Sequence, residues 1–123
     1  MQYLPICLKL RDSPVVLVGG GTVATRKARL LLRAGASLTV VSPEIEPELE
    51  QLLSEHGGSW QRSRYTESDL HGRKLVVAAT PDAVVNRQVH DDAMALALPV
   101  NVVDSPDLCT VIFPAIIDLS LIH

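Results

Sequence analysis

Pro14-Val-Val-Leu-Val18-Gly19-Gly20-Gly21-Thr22-Val23-Ala24 is the stretch whose reading decides the fold. Pro14 to Val18 is a continuous apolar run rich in β-branched side chains, bounded by Asp12-Ser13 before it and glycines after it. That pattern predicts a short strand buried on both faces. Beyond the glycines, Val23 to Ala34 lacks Gly and Pro and carries apolar residues at Val23, Ala24, Ala28, Leu31, Leu32 and Ala34 before Gly35, which predicts a helix with a glycine just past its end.

Working outward, Ser37 to Val41 predicts a second buried strand, closed by Ser42-Pro43. Pro47 to His56 predicts an amphipathic helix with Leu49, Leu52 and Leu53 on one face. Ser59 to Arg62 reads as a short edge strand around Trp60, and Ser63 to Arg73 as loop with one helical turn near Ser68 to Leu70. Leu75 to Ala79 predicts a strand, Asp82 to Leu96 a helix, and Pro99 to Val103 a strand ending in Asp104. The apolar segment Thr110 to Ile117, with Pro114 inside it, reads as an extended edge piece. Strands alternate with helices, and each such unit needs a right-handed crossover. The expected fold is therefore α/β, a Rossmann-type parallel sheet with helices on both faces.

In such a fold the glycine turn carries chemistry. The first glycine permits the tight bend, the second lets the backbone approach a pyrophosphate, and a third small residue lets helix and strand pack closely. Gly19, Gly21 and Ala24 fill those places. Unpaired N–H groups and the positive dipole end of the following helix, near Thr22 and Val23, attract a phosphate. A strand before the glycines and a helix after them are the context that gives the motif its meaning. The cofactor expectation is a nicotinamide dinucleotide. The pattern also expects an acid about 20 residues on, for the adenosine ribose. Here the second strand ends in Val41-Ser42-Pro43-Glu44, so either the Ser42 hydroxyl or Glu44 reaching back takes that place. Glu46 adds negative charge and no Arg or Lys follows, which favours NAD over NADP.

Other signals are weaker. Arg26, Arg29 and Arg33 share one face of the first helix and read as solvated charge. His56, His71, His90 and His123 have no ligand spacing, so no metal site is expected. Asp104, at the carboxyl end of a parallel strand, reads either as a functional carboxylate or as a loop cap. Composition bounds the rest. The chain has 123 residues, 47% of them hydrophobic, enough for one domain with a core. A net charge of −3 and a pI near 5.7 supply no basic field for nucleic acid. Cys7 and Cys109 stand too far apart in sequence for a zinc or redox motif. The apolar stretch Tyr3 to Leu8, broken by Pro5 and followed by Lys9 and Arg11, is too short for a signal or membrane segment. A soluble, cytoplasmic protein is expected, with no membrane partner.

Taken together, Leu4-Pro5-Ile6, Leu10-Arg11-Asp12, Val18 to Ala24, Arg26 to Leu32, Ala34-Gly-Ala36, Ala78-Ala-Thr80, Asn86, Asn101-Val-Val-Asp104 and Phe113 to Asp118 resemble the N-terminal module of siroheme synthase. That family comprises NAD-dependent precorrin-2 dehydrogenases and sirohydrochlorin ferrochelatases. The resemblance implies oxidation of precorrin-2 to sirohydrochlorin, with a hydride passing to NAD and a proton lost. Insertion of ferrous iron then gives siroheme. It also implies pyrophosphate contacts at Gly21, Thr22 and Val23, ribose contacts at Pro43 and Glu44 or Ser42, Thr80 beside the cofactor, and Asp104 in both activities. Whether Asp104 accepts a proton or orients the tetrapyrrole stays open. The expected division is a NAD-binding Rossmann domain over 1–118 and an altered or truncated tail over 119–123. There the chain departs from the family, which continues into a helical homodimerisation region with further substrate contacts. A sensing module that binds NAD(H) without catalysis is the rival reading. It has no need of the carboxylate at Asp104. A dehydrogenase for another small metabolite fits the fold but lacks the usual His or Lys acid.

Overall fold

A computed structural model describes residues 2–114. Five strands form one sheet, each pairing in parallel with its neighbours: β1 (Pro14–Val18), β2 (Ser37–Ser42), β3 (Ser59–Arg62), β4 (Leu75–Ala78) and β5 (Val100–Val102). Their order is β3-β2-β1-β4-β5. Three helices connect them: α1 (Thr22–Arg33), α2 (Pro47–His56) and α3 (Ala83–Ala95).

The apolar runs explain this order, because strands whose side chains are buried on both sides need cover on both faces. Alternation along each strand divides the core in two. Val15 and Leu17 of β1, Leu38 and Val40 of β2, and Leu75 and Val77 of β4 pack under α1 and α2 through Ala24, Ala28, Leu31, Leu49 and Leu53. Val16, Val18, Val41, Val76, Val100 and Val102 face the other way, against Val89 and Ala93 of α3 and against Leu70. Full burial of a side chain such as Leu17 contributes about 2–3 kcal/mol, so the central strands anchor the molecule. The expected α/β class, with helices on both faces, is what forms.

The differences lie at element ends. Helix α1 starts at Thr22, with Gly21 as its N-cap. Asp82 lies outside α3 as its N-cap, its carboxylate accepting from the N–H groups of Val84 and Val85. β4 stops at Ala78 and β5 spans three residues, one short at each end of the expected strand. Pro99 has no N–H to offer, and Val103 has already turned. The largest departure is the expected edge piece. Residues 110–114 form no strand, because the N–H groups of Thr110 and Val111 both converge on the Val100 carbonyl, at 2.9 and 3.2 Å, rather than stepping along a ladder. Residues 115–117 of that piece, and the expected tail at 119–123, lie outside the described residues.

Candidate functional site

The sheet order reverses at β1: one connection runs outward to β2 and β3, the next returns to β4 on the other side. Beyond the carboxyl ends of the strands at such a switch point lies the crevice where open α/β sheets take ligands. The loops leaving β1, β2 and β4 meet there.

The glycine turn is built by backbone contact. Gly19 leaves β1 at φ 130°, its N–H bonded to the Val41 carbonyl at 3.0 Å. A Cβ there would stand 2.6 Å from the Ala79 carbonyl oxygen. At Gly20 a Cβ would fall 2.1 Å from the Glu44 carbonyl oxygen and 2.7 Å from Ser42 Oγ. The Gly20 carbonyl in turn accepts the Glu46 N–H at 2.8 Å. Gly21 differs: a Cβ there would meet nothing within 4 Å. It caps α1 without any side-chain hydrogen bond, and the first turn of α1 contains no acid. The leading N–H groups of α1 thus have no side-chain partner among the described residues, the arrangement that takes an anion. Thr22 and Val23 are exposed beside it, and Ala24 is fully buried against the sheet, as the third small residue of the pattern requires.

The three candidate ribose residues separate. Ser42 is 4% exposed. Its Oγ accepts the Trp60 indole N–H at 3.2 Å, as does its carbonyl at 3.1 Å. The hydroxyl therefore supports the loop from beneath, and Pro43 and Glu44 are the exposed members. Thr80, past the end of β4, is pinned by Asn86 of α3. Its hydroxyl donates to Asn86 Oδ1 at 2.7 Å, and Asn86 Nδ2 donates to the Thr80 carbonyl at 2.9 Å. Thr80 adjoins the glycines, since a Cβ on Gly19 would lie 3.2 Å from its nitrogen.

Asp104 stands one loop further along the same edge. Val103 N–H bonds to the Ala78 carbonyl at 3.0 Å, and the chain then turns through Asp104 at φ 61°. The carboxylate is exposed and accepts no hydrogen bond among the described residues. The following turn, Pro106–Leu108, begins at Ser105 without a side-chain cap. The loop is tied down instead by Cys109 Sγ, which meets Val102 N at 3.2 Å, and by His90 Nδ1 at 2.9 Å from the Leu108 carbonyl. Loop capping therefore does not account for Asp104.

Gly20, the clamp on Glu46 and the role of Asn86 were not singled out by the sequence reading. The third consecutive glycine was the available signal for the first. Among the described residues no group of three or more His, Cys, Asp or Glu is placed to hold a metal ion. None of their helices is long and apolar enough to cross a membrane.

Comparison with known proteins bears directly on this crevice. The sequence model of a family described as NAD(P)-binding matches residues 6–115. The chain belongs to that family. A nicotinamide dinucleotide as cofactor is thereby borne out. Siroheme synthase of Pseudomonas putida (strain W619) is 55% identical over 98% of the chain, which covers 26% of that protein. Siroheme synthase of Methylobacillus flagellatus is 52% identical over the same shares. The module thus spans about a quarter of the length of these curated relatives. Among solved structures, "SirC, precorrin-2 dehydrogenase" superposes with a TM-score of 0.79 at 32% identity, covering 92% of this chain and 55% of that one. The resemblance to siroheme synthase, read first from scattered motifs, extends over nearly the whole NAD(P)-binding module.

Proposed function

We propose that this chain is the dinucleotide-binding module of an enzyme that oxidises precorrin-2 to sirohydrochlorin with NAD and, in a linked activity, inserts ferrous iron to give siroheme. The observation that carries the reading is the uncapped N-terminus of α1 behind Gly21, open at the switch point of the sheet. The exposed carboxylate of Asp104 stands on the same edge. Siroheme synthases and a precorrin-2 dehydrogenase as relatives supply the substrate class.

In this reading Gly21, Thr22 and Val23 bind the pyrophosphate through the backbone and the helix dipole, and Pro43 and Glu44 border the adenosine ribose. Thr80, locked by Asn86, borders the nicotinamide half. When bound, NAD supplies the hydride acceptor. Asp104, unencumbered by a cap, takes the proton lost from the tetrapyrrole or holds a pyrrole N–H in place. Acidic charge in the β2–α2 loop opposes a 2′-phosphate, and the cofactor is accordingly NAD rather than NADP. A cytoplasmic setting and assembly as a homodimer belong to the same reading, the homodimer on the family resemblance alone.

The test joins the chain to the remaining three quarters of the P. putida siroheme synthase, in place of that enzyme's own matching segment. Absorbance of precorrin-2 incubated with the chimera and NAD is then followed. Formation of sirohydrochlorin together with NADH is the expected result. NAD binding without any oxidation would turn the reading toward a sensing module.

A further inference from the structure

The usual acid at the tip of the second Rossmann strand is replaced here by Ser42, which is buried under Trp60. Two carboxylates follow in the loop, and they are held very differently. Glu44 is exposed, and its side chain has no hydrogen bond among the described residues. Glu46 is tied at three points. Its N–H donates to the Gly20 carbonyl at 2.8 Å. Its carboxylate accepts from Thr22 Oγ1 at 2.7 Å and from Thr25 Oγ1 at 3.3 Å. Thr25 is 1% exposed, and its one hydroxyl hydrogen is shared with the Gly21 carbonyl at 2.8 Å, so Thr22 makes the stronger end of the clamp. No cation among the described residues neutralises Glu46, since Arg29 pairs with Glu48 instead.

A free carboxylate on a flexible side chain swings away from an approaching anion and is screened by water and salt, whereas a clamped one cannot retreat. The clamp also joins the adenosine-side loop to the start of α1, so the charge is held at a set place between that loop and the glycine turn. From this we infer that Glu46 is the specificity-determining residue that rejects the 2′-phosphate of NADP, and that Thr22 and Thr25 position it for that task. Glu44 contributes little to the choice. The inference rests on the preference for NAD proposed above.

Calorimetric dissociation constants for NAD and NADP, measured on the whole chain at about 0.1 M salt, test it. The parent is expected to prefer NAD. Glu46→Gln keeps an acceptor for Thr22 while removing the charge. It should cut the preference about tenfold or more, by gaining NADP affinity. Glu44→Gln should change it by about threefold or less, the expectation for a screened surface charge. Thr22→Val releases one carboxylate oxygen but keeps the backbone N–H offered to the pyrophosphate, and any change in that shared contact cancels in the ratio. The preference should still fall, and this variant decides the matter if Glu46→Gln does not fold. A parent that prefers NAD, with a ratio unmoved by Glu46→Gln or by Thr22→Val, would overturn this inference alone. A larger effect at Glu44 would do the same. Equal affinity of the parent for both dinucleotides would overturn the cofactor preference itself and the inference with it.

Discussion

At the β1–α1 turn, backbone of the loops leaving β2 and β4 crowds around Gly19 and Gly20, whereas at the end of β5 Asp104 projects from a left-handed turn with its carboxylate unengaged among the described residues. Both stand at the carboxyl edge of one sheet, and in the function proposed above the contrast follows from what each is for. A pyrophosphate is gripped by N–H groups whose placement comes from the fold, so side chains must be absent there. A proton is handled by a side chain, so the fold need only present it. Substitutions at the first end should therefore damage folding or cofactor binding, and at the second end chemistry alone.

Asp104→Asn in the chimera with the siroheme synthase remainder should lower precorrin-2 oxidation by about 10²–10⁴-fold, the usual contribution of acid–base assistance. Dinucleotide affinity and melting temperature should hold within error. Full activity would remove Asp104 from the mechanism, and a large fall in melting temperature would make it a structural residue after all.

Gly20→Ala sharpens the other side of the contrast. Its new methyl would press on the Glu44 carbonyl, so the β2–α2 loop must move or the chain unfold more readily. A loss of about 3 kcal/mol in urea denaturation is expected, the upper range for overpacking. A variant as stable as the parent would show that the loop is not docked on the turn.

The smallest effect belongs to a tie remote from both ends. Tyr65 donates its phenol hydrogen to Asp92 at 2.7 Å, joining the segment before β4 to α3. Burial, then the Asp92 hydrogen bond, push the phenol well above its ordinary value near 10. Because the folded value is the raised one, the stability this group contributes is complete below about pH 10 and is lost as pH rises beyond it. Tyr65→Phe should cost about 1 kcal/mol at neutral pH and lose less on going to alkaline pH. Affinity for NAD should stay at the parent level. A weakened affinity would mean that α3 and its Asn86–Thr80 lock respond to this tie.

Much of the fold was legible because the decisive signals are local. Pro14 to Val18 followed by glycines and a gap-free helix can hardly be read otherwise, and β1, α2 and β3 fall where expected, residue for residue. Thr110 to Pro114 misled, since an apolar segment with a proline looks extended whether its N–H groups step along a ladder or converge on one carbonyl. Within the site, Gly21 was readable from the motif alone. The burial of Ser42, the need for glycine at 20 and the clamp on Glu46 were not. The last two arise from one event, the docking of the β2–α2 loop on the glycine turn, and the first from Trp60 of β3, contacts that join residues about 20 positions apart. The clamping hydroxyls of Thr22 and Thr25 are one helical turn apart, a spacing too common to signal anything by itself.

The central claim, that the dinucleotide pyrophosphate sits on the backbone at Gly21, is tested most directly by calorimetric titration of Gly21→Val with NAD, with melting temperature as the control. A Cβ there meets no protein atom within 4 Å, and the branched side chain beyond it would enter the space proposed for the pyrophosphate. The variant should melt close to the parent, apart from a small cost for a branched residue at the helix cap, and show no measurable NAD binding. A folded variant that binds NAD as tightly as the parent would contradict it.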